Sequence, residues 1–141
     1  MGGRVQSANP NAGFRFHLEQ RTRHFAVNVI RFVGALSDGQ IRDVIGRQLL
    51  RSATSVGANY RAAARARSRS DFIAKISIAE EEADETQYWL EILFDLKAVT
   101  EDQFHQLYQE ARELTAIFVS SGRTAKYGST RDDRRPKVES M

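Results

Sequence analysis

The side chains able to carry chemistry are few and poorly grouped. The histidines are His17, His24 and His105, and no Glu-x-x-His pair occurs. A carboxylate-bridged di-iron centre inside a helical bundle therefore lacks its ligand pattern. Asp102-x-x-His105 is a lone spacing at an expected helix start and reads as a cap beside a surface histidine. Glu81, Asp84 and Glu85 have the oxygen ligands a hard cation prefers. In a chain this rich in arginine, carboxylates so placed read first as salt-bridge partners. There is no cysteine, hence no thiolate ligand, thiol nucleophile or disulfide. The serines have no placed base, and apart from Gly2-Gly3 the glycines stand singly, with no phosphate-cradling loop. The expectation is a protein with no catalytic residue, no metal and no cofactor.

What the chain does have is charge, strongly sorted. YRAAARARSRS, Tyr60 to Ser70, holds four arginines and no acid, while EEEADE, Glu80 to Glu85, holds five acids and no base. From Met1 to Ser70 there are 12 basic and 3 acidic residues, a net of +9. From Asp71 to Gly122 there are 3 and 12, a net of −9, and from Arg123 to Met141 there are 6 and 3, a net of +3. Such asymmetry points to a partner, and the simplest partner for each half is the other.

The elements that position these charges are helices. The two prolines, Pro10 and Pro136, stand near the ends. Between them apolar residues recur at spacings of three, four and seven. A first segment runs from about residue 16 to 36, carrying Leu18, Phe25, Val29, Phe32, Val33 and Leu36. Ser37-Asp38-Gly39 breaks it. A second segment, about 40 to 65, aligns Ile41, Ile45, Leu49, Val56 and Tyr60. A third, about 71 to 98, follows an N-cap at Ser68 or Ser70 and aligns Phe72, Ile76, Ala79, Ala83, Thr86, Leu90 and Leu93. A fourth opens on the capping box Thr100-x-x-Gln103, and Gly122 stands where a C-terminal cap belongs. Four amphipathic helices with short breaks predict an all-α, antiparallel up-down-up-down four-helix bundle over residues 14–122. Residues 1–13 read as a disordered lead and 123–141 as a disordered basic tail. No apolar run is long enough to span a membrane and no secretory core precedes the bundle, so the expected compartment is the cytoplasm.

At about 100° per residue the second segment carries two further stripes beside the apolar one of Ile45, Leu49, Val56 and Tyr60. Arg47, Arg51, Arg61 and Arg65 fall within roughly 80° of one another. Gln48, Ser52, Ser55 and Asn59 form a seam of small polar residues, either a solvated flank or a close-packed contact with interhelical hydrogen bonds. On the third segment Glu81, Asp84, Glu85, Glu91 and Asp95 share a face, set to meet the arginines laterally. Ile78, Trp89, Ile92 and Leu96 widen the apolar arc beyond what one core needs. The strip predicts an oligomer interface, against the plainer reading that a large Trp caps the core edge.

The run QLLRSATSVGAN, Gln48 to Asn59, resembles the signature of the bacterial four helix bundle proteins, the 23S ribosomal RNA intervening-sequence family. Gln48, Leu49, Arg51, Ser52, Ala53, Ser55 and Asn59 match in one register, and Phe72, Ile73, Ala79 and Glu85 match in a second block, DFIAKISIAEEEADETQYWLEIL. The likeness covers about residues 25 to 118. It implies a left-handed bundle assembled as a homopentamer. A related branch, the accessory protein of diversity-generating retroelements, implies a basic barrel that binds nucleic acid. Where the family commonly has an Ile-Ala-Glu-Gly-like run after the asparagine, this chain has Tyr60-Arg61-Ala62-Ala63, and Glu81-Glu82 replaces a usual Gly-Ser. Both changes deepen the charge split and suggest that Arg61 and Arg65 face acids of the third helix, within or between subunits.

Two functions follow as expectations. One is a homo-oligomeric accessory that touches RNA or DNA through Arg67, Arg69, Arg131, Arg134, Arg135 and Lys137. The other is a self-assembling ring closed by the opposite charges alone. Neither needs a small-molecule substrate or a membrane.

Overall fold

The computed structural model describes residues 10–128, and everything in it is helical or a connection between helices. Helix α1 is Pro10–Gly34, α2 is Arg47–Ala64, α3 is Arg69–Asp95 and α4 is Glu101–Tyr127, with a π-helical turn, Arg42–Gly46, leading directly into α2. No helix among the described residues is long and apolar enough to cross a membrane.

Each helix starts and stops for a local reason. Gly39 takes φ 145°, a value open to glycine, and breaks the chain before α2 as Ser37-Asp38-Gly39 predicts. Ser68 caps α3, its hydroxyl accepting from the Asp71 amide at 3.0 Å. Thr100 and Gln103 form the predicted capping box on α4. After α3 the chain closes a Schellman motif: the Ala98 amide donates to the Leu93 carbonyl at 3.0 Å and the Lys97 amide to Phe94 at 2.9 Å. Lys97 adopts φ 54° there, a left-handed conformation usually left to glycine.

Three boundaries differ from expectation. α1 begins at Pro10, because proline suits the first helical turn, so part of the expected lead is helix. α4 runs through Gly122 to Tyr127, and Gly128 at φ 74° ends it. One interior glycine costs a packed helix only about 1 kcal/mol, and Gly122 is buried with Ile76 next to where its Cβ would stand. The π-turn inserts extra backbone ahead of α2 and rotates Ile41 and Val44 out to solvent. Ile41 thus leaves the core face on which an unbroken α period places it. Residues 1–9 and 129–141 lie outside the described residues.

Neighbouring helices run antiparallel. Along α3 and α4, Gln87 meets Thr115, Glu91 meets Tyr108 and Phe94 stacks on Phe104. Along α1 and α2, Thr22 faces Gly57 and Val33 faces Gly46. Ser52 meets Thr86 between α2 and α3, and Arg21 meets Glu110 between α1 and α4. The core inside is Phe25, Val29, Leu49, Val56, Ile76, Leu90, Leu93, Leu114 and Phe118. Ala53, Ala79, Ala83 and Ala111 among them are fully buried and let the backbones approach. Tyr60 stacks on Phe118 at 5.9 Å, and burial raises its phenol pKa above the ordinary value.

Candidate functional site

The arginine stripe of α2 does not act as one face. Arg47 and Arg65 point the same way, with Arg51 and Arg61 about 40° to either side. That angle is enough to hand the two edges to different neighbours. Arg51 reaches α3, pairing with Glu82 at 3.2 Å and closely with Glu85. Hydrogen bonding from Arg51 holds the Glu85 carboxyl below the ordinary carboxylate range, and Glu85 also accepts from the Trp89 indole at 3.2 Å. Arg61 and Arg65 turn instead toward α1, where they line a groove with Phe16, Arg23, Gly57 and Ala58. Within the subunit they make no ion pair with the acids of α3, so of the pairing expected within or between subunits the first does not occur among the described residues. Arg47 is exposed, and none of Arg47, Arg61 and Arg65 forms an ion pair among the described residues.

The acidic face divides likewise. Glu82, absent from the expected set, takes Arg51 together with Glu85. Glu91 accepts from Tyr108 at 2.6 Å, and that bond, with burial, raises the tyrosine pKa. Glu81, Asp84 and Asp95 are exposed with no ion pair among the described residues. A second ionic group joins α1 to α4: Arg21 donates to Glu110 at 2.5 Å and to Glu113 at 2.5 Å, which raises the arginine pKa further. Nothing in the linear spacing announces that pair, because its members stand 89 residues apart.

The polar seam is close-packed at one point. Ser52 is fully buried, and Thr86 Oγ1 lies 3.0 Å from its Oγ. Ser52 also donates to the Leu49 carbonyl, and Thr86 lies 2.8 Å from the Glu82 carbonyl, so both hydroxyls are satisfied without water. Gln48, Ser55 and Asn59 are half-buried, and Asn59 bonds the Ser55 carbonyl of its own helix. In the apolar strip Trp89 packs on the core edge, Ile92 is half-buried, and Ile78 and Leu96 are exposed.

Of the expected phosphate contacts, Arg69 is otherwise engaged. Its guanidinium donates to the carbonyls of Ala125 and, at 2.7 Å, Lys126, capping the C-terminal end of α4. Arg67 remains exposed in the α2–α3 connection. Arg131, Arg134, Arg135 and Lys137 lie outside the described residues. His105 sits 3.5 Å from Glu101, not Asp102, and both are exposed.

The arrangement that remains is the α1–α2 groove, about 340 Å³, with three cations, Arg23, Arg61 and Arg65, and one acid, Glu19. Its floor is tight: a Cβ on Gly57 would stand 3.2 Å from Thr22 Oγ1. Such a groove offers fixed positive charge and little else. It suits phosphate or carboxylate oxygens spread along a surface better than a compact substrate.

The chain matches the family described as 23S rRNA-intervening sequence protein over residues 16–120. It belongs to that family. The family match runs from the first turns of α1 to the last turns of α4, so it takes in every helix and all three groove arginines, while the basic residues after 128 fall beyond it. A crystal structure of a protein with unknown function from the S23 ribosomal protein family of Bacteroides thetaiotaomicron is similar to this family member. It shares 36% identity at a TM-score of 0.73, covering 78% of this chain and 98% of that one. No curated protein matches the chain.

Proposed function

We propose that this intervening-sequence family protein is a non-enzymatic, homo-oligomeric accessory that binds nucleic acid or scaffolds a nucleic-acid complex. The α1–α2 groove is its contact surface. The observation that carries the reading is the direction of Arg61 and Arg65. They turn away from the acids of α3 into a groove shared with Arg23, leaving three cations against one acid. Phosphate contacts of this kind need clustered cations and little sequence precision. The groove replaces Arg69 as the expected contact, since Arg69 caps α4.

A second reading rests on the exposed acids of α3. Glu81, Asp84 and Asp95 form a ridge whose charge complements the groove, so a second copy of the chain could seat its ridge there and propagate head to tail. A ring of five is what the family resemblance implies.

One double variant separates the two. Arg61→Glu with Arg65→Glu is expected to abolish the mobility shift of RNA or DNA at low salt and leave the light-scattering mass unchanged. A mass that falls to the monomer selects the self-assembling ring. Wild-type protein that shifts neither RNA nor DNA even at low salt defeats the nucleic-acid reading.

A further inference from the structure

The antiparallel order brings the start of α1, the end of α2, the start of α3 and the end of α4 together at one end of the bundle, where Arg69 holds the last carbonyls of α4. Charge is therefore sorted along the bundle as well as by halves. Within residues 10–20, 57–75 and 120–128 the acids are Glu19 and Asp71. Arg15, Arg61, Arg65, Arg67 and Arg123 stand there too, all exposed and none in an ion pair among the described residues. Aromatic rings are exposed at the same end: Phe14 is 54% exposed, Phe16 60% and Tyr127 75%. Phe16 lies on the side of α1 away from Leu18 and Phe25, so core packing does not account for it. Phe16 is remote from Arg61 and Arg65 in the chain, yet the fold sets all three on the α1–α2 groove with Arg23. Arg61 and Arg65 are one turn apart, about 6 Å at 1.5 Å per residue. That step is close to the one between successive phosphates of an extended strand.

We infer that this end of the groove takes single-stranded nucleic acid, with the Phe16 ring stacking on a base and Arg23, Arg61 and Arg65 holding the phosphates. The inference rests on the nucleic-acid reading above and adds which form of nucleic acid is bound. In a duplex each base face is covered by its neighbours, so an exposed ring serves only an unpaired strand whose bases can turn out to meet it. Arginines alone do not separate the two forms, because both carry phosphates. A groove of about 340 Å³ admits a nucleotide and no double helix. Phe14 and Tyr127 offer further rings where the strand leaves the groove over the bundle end.

The test uses the full chain with labelled oligothymidylate and oligouridylate of about 16 nucleotides and a hairpin duplex carrying the same number of phosphates. Fluorescence anisotropy at low salt is expected to show the preferred strand bound at least about tenfold more tightly than the hairpin. Preference for oligouridylate marks an RNA strand, and the reverse a DNA strand. Phe16→Ala weakens strand binding by at least about fivefold and leaves hairpin binding and the light-scattering mass unchanged, whereas Arg61→Glu with Arg65→Glu weakens both kinds of binding. Phe16→Trp keeps strand binding, and its added tryptophan, beside the single native Trp89, is quenched by the strand beyond any quenching in wild type. Equal affinity for strand and hairpin, or strand binding that Phe16→Ala does not change, overturns the assignment while the nucleic-acid reading stands. Wild-type protein that binds neither overturns both. A light-scattering mass that falls with Phe16→Ala also overturns it, and makes Phe16 a subunit contact.

Discussion

Glu85 concentrates the polar energetics of the α2–α3 face, since it accepts from both Arg51 and Trp89. Its folded pKa is lowered, chiefly by the Arg51 hydrogen bond. A lowered carboxyl contributes stability that is present above its unfolded pKa and lost as pH falls through the folded value. Glu85→Gln is therefore expected to cost under about 1 kcal/mol near neutrality, because the Arg51 side chain is 48% exposed and screened by water. Urea midpoints of wild type and variant should converge on acidification from about pH 7 to pH 3. Lys97 offers the opposite kind of test. Its left-handed φ of 54° is a strain that glycine does not bear. Lys97→Gly is expected to stabilise the fold by about 0.5–1 kcal/mol, seen as a melting temperature raised by a few degrees.

At the scale of the elements, two helical glycines look alike in sequence and differ in their surroundings. A Cβ at Gly122 would stand 3.6 Å from Ile76, an ordinary contact. One at Gly57 would stand 3.2 Å from Thr22 Oγ1 and 3.5 Å from the Thr22 backbone. Gly122→Ala is expected to gain up to about 1 kcal/mol of helix propensity. Gly57→Ala loses that gain to the close α1–α2 approach and ends at least about 1 kcal/mol below it. Denaturant unfolding of the two variants checks the order. Caps and breaks were legible because they depend on residues three or four apart: Ser68 with Asp71, Thr100 with Gln103, and Gly39 alone. The π-turn was not legible, since Ile41 and Ile45 keep a plain helical spacing while the backbone between them takes a wider turn.

For the whole molecule, the proposed contacts are ionic and exposed, and their salt dependence follows. Either use of the α1–α2 groove places Arg61 and Arg65 against anions in high dielectric. At 1 M salt the screening length is about 3 Å. Nucleic-acid binding should then vanish, and its affinity should fall linearly on a log–log plot of salt. An assembly held by the α3 ridge should lose mass over the same range, whereas one held by apolar faces such as Phe16, Val27 and Ile30 should not. Light scattering at low and high salt reads the difference.

By itself the sequence determined the helical class, the helix order, most of the caps and most of the core, because each depends on periodicity or on neighbours one turn away. It also determined that charge is sorted by halves. Only the tertiary structure decided what the charges face. Arg51 and Arg61 lie some 80° apart on one helix, and whether that separation matters depends on where α1 and α3 stand around it. The same holds for Arg69, which reads as a free cation in a basic turn until α4 brings two bare carbonyls to it. YRAAARARSRS is thus three surfaces and not one: a groove lining at Arg61 and Arg65, an exposed connection at Arg67, and a helix cap at Arg69.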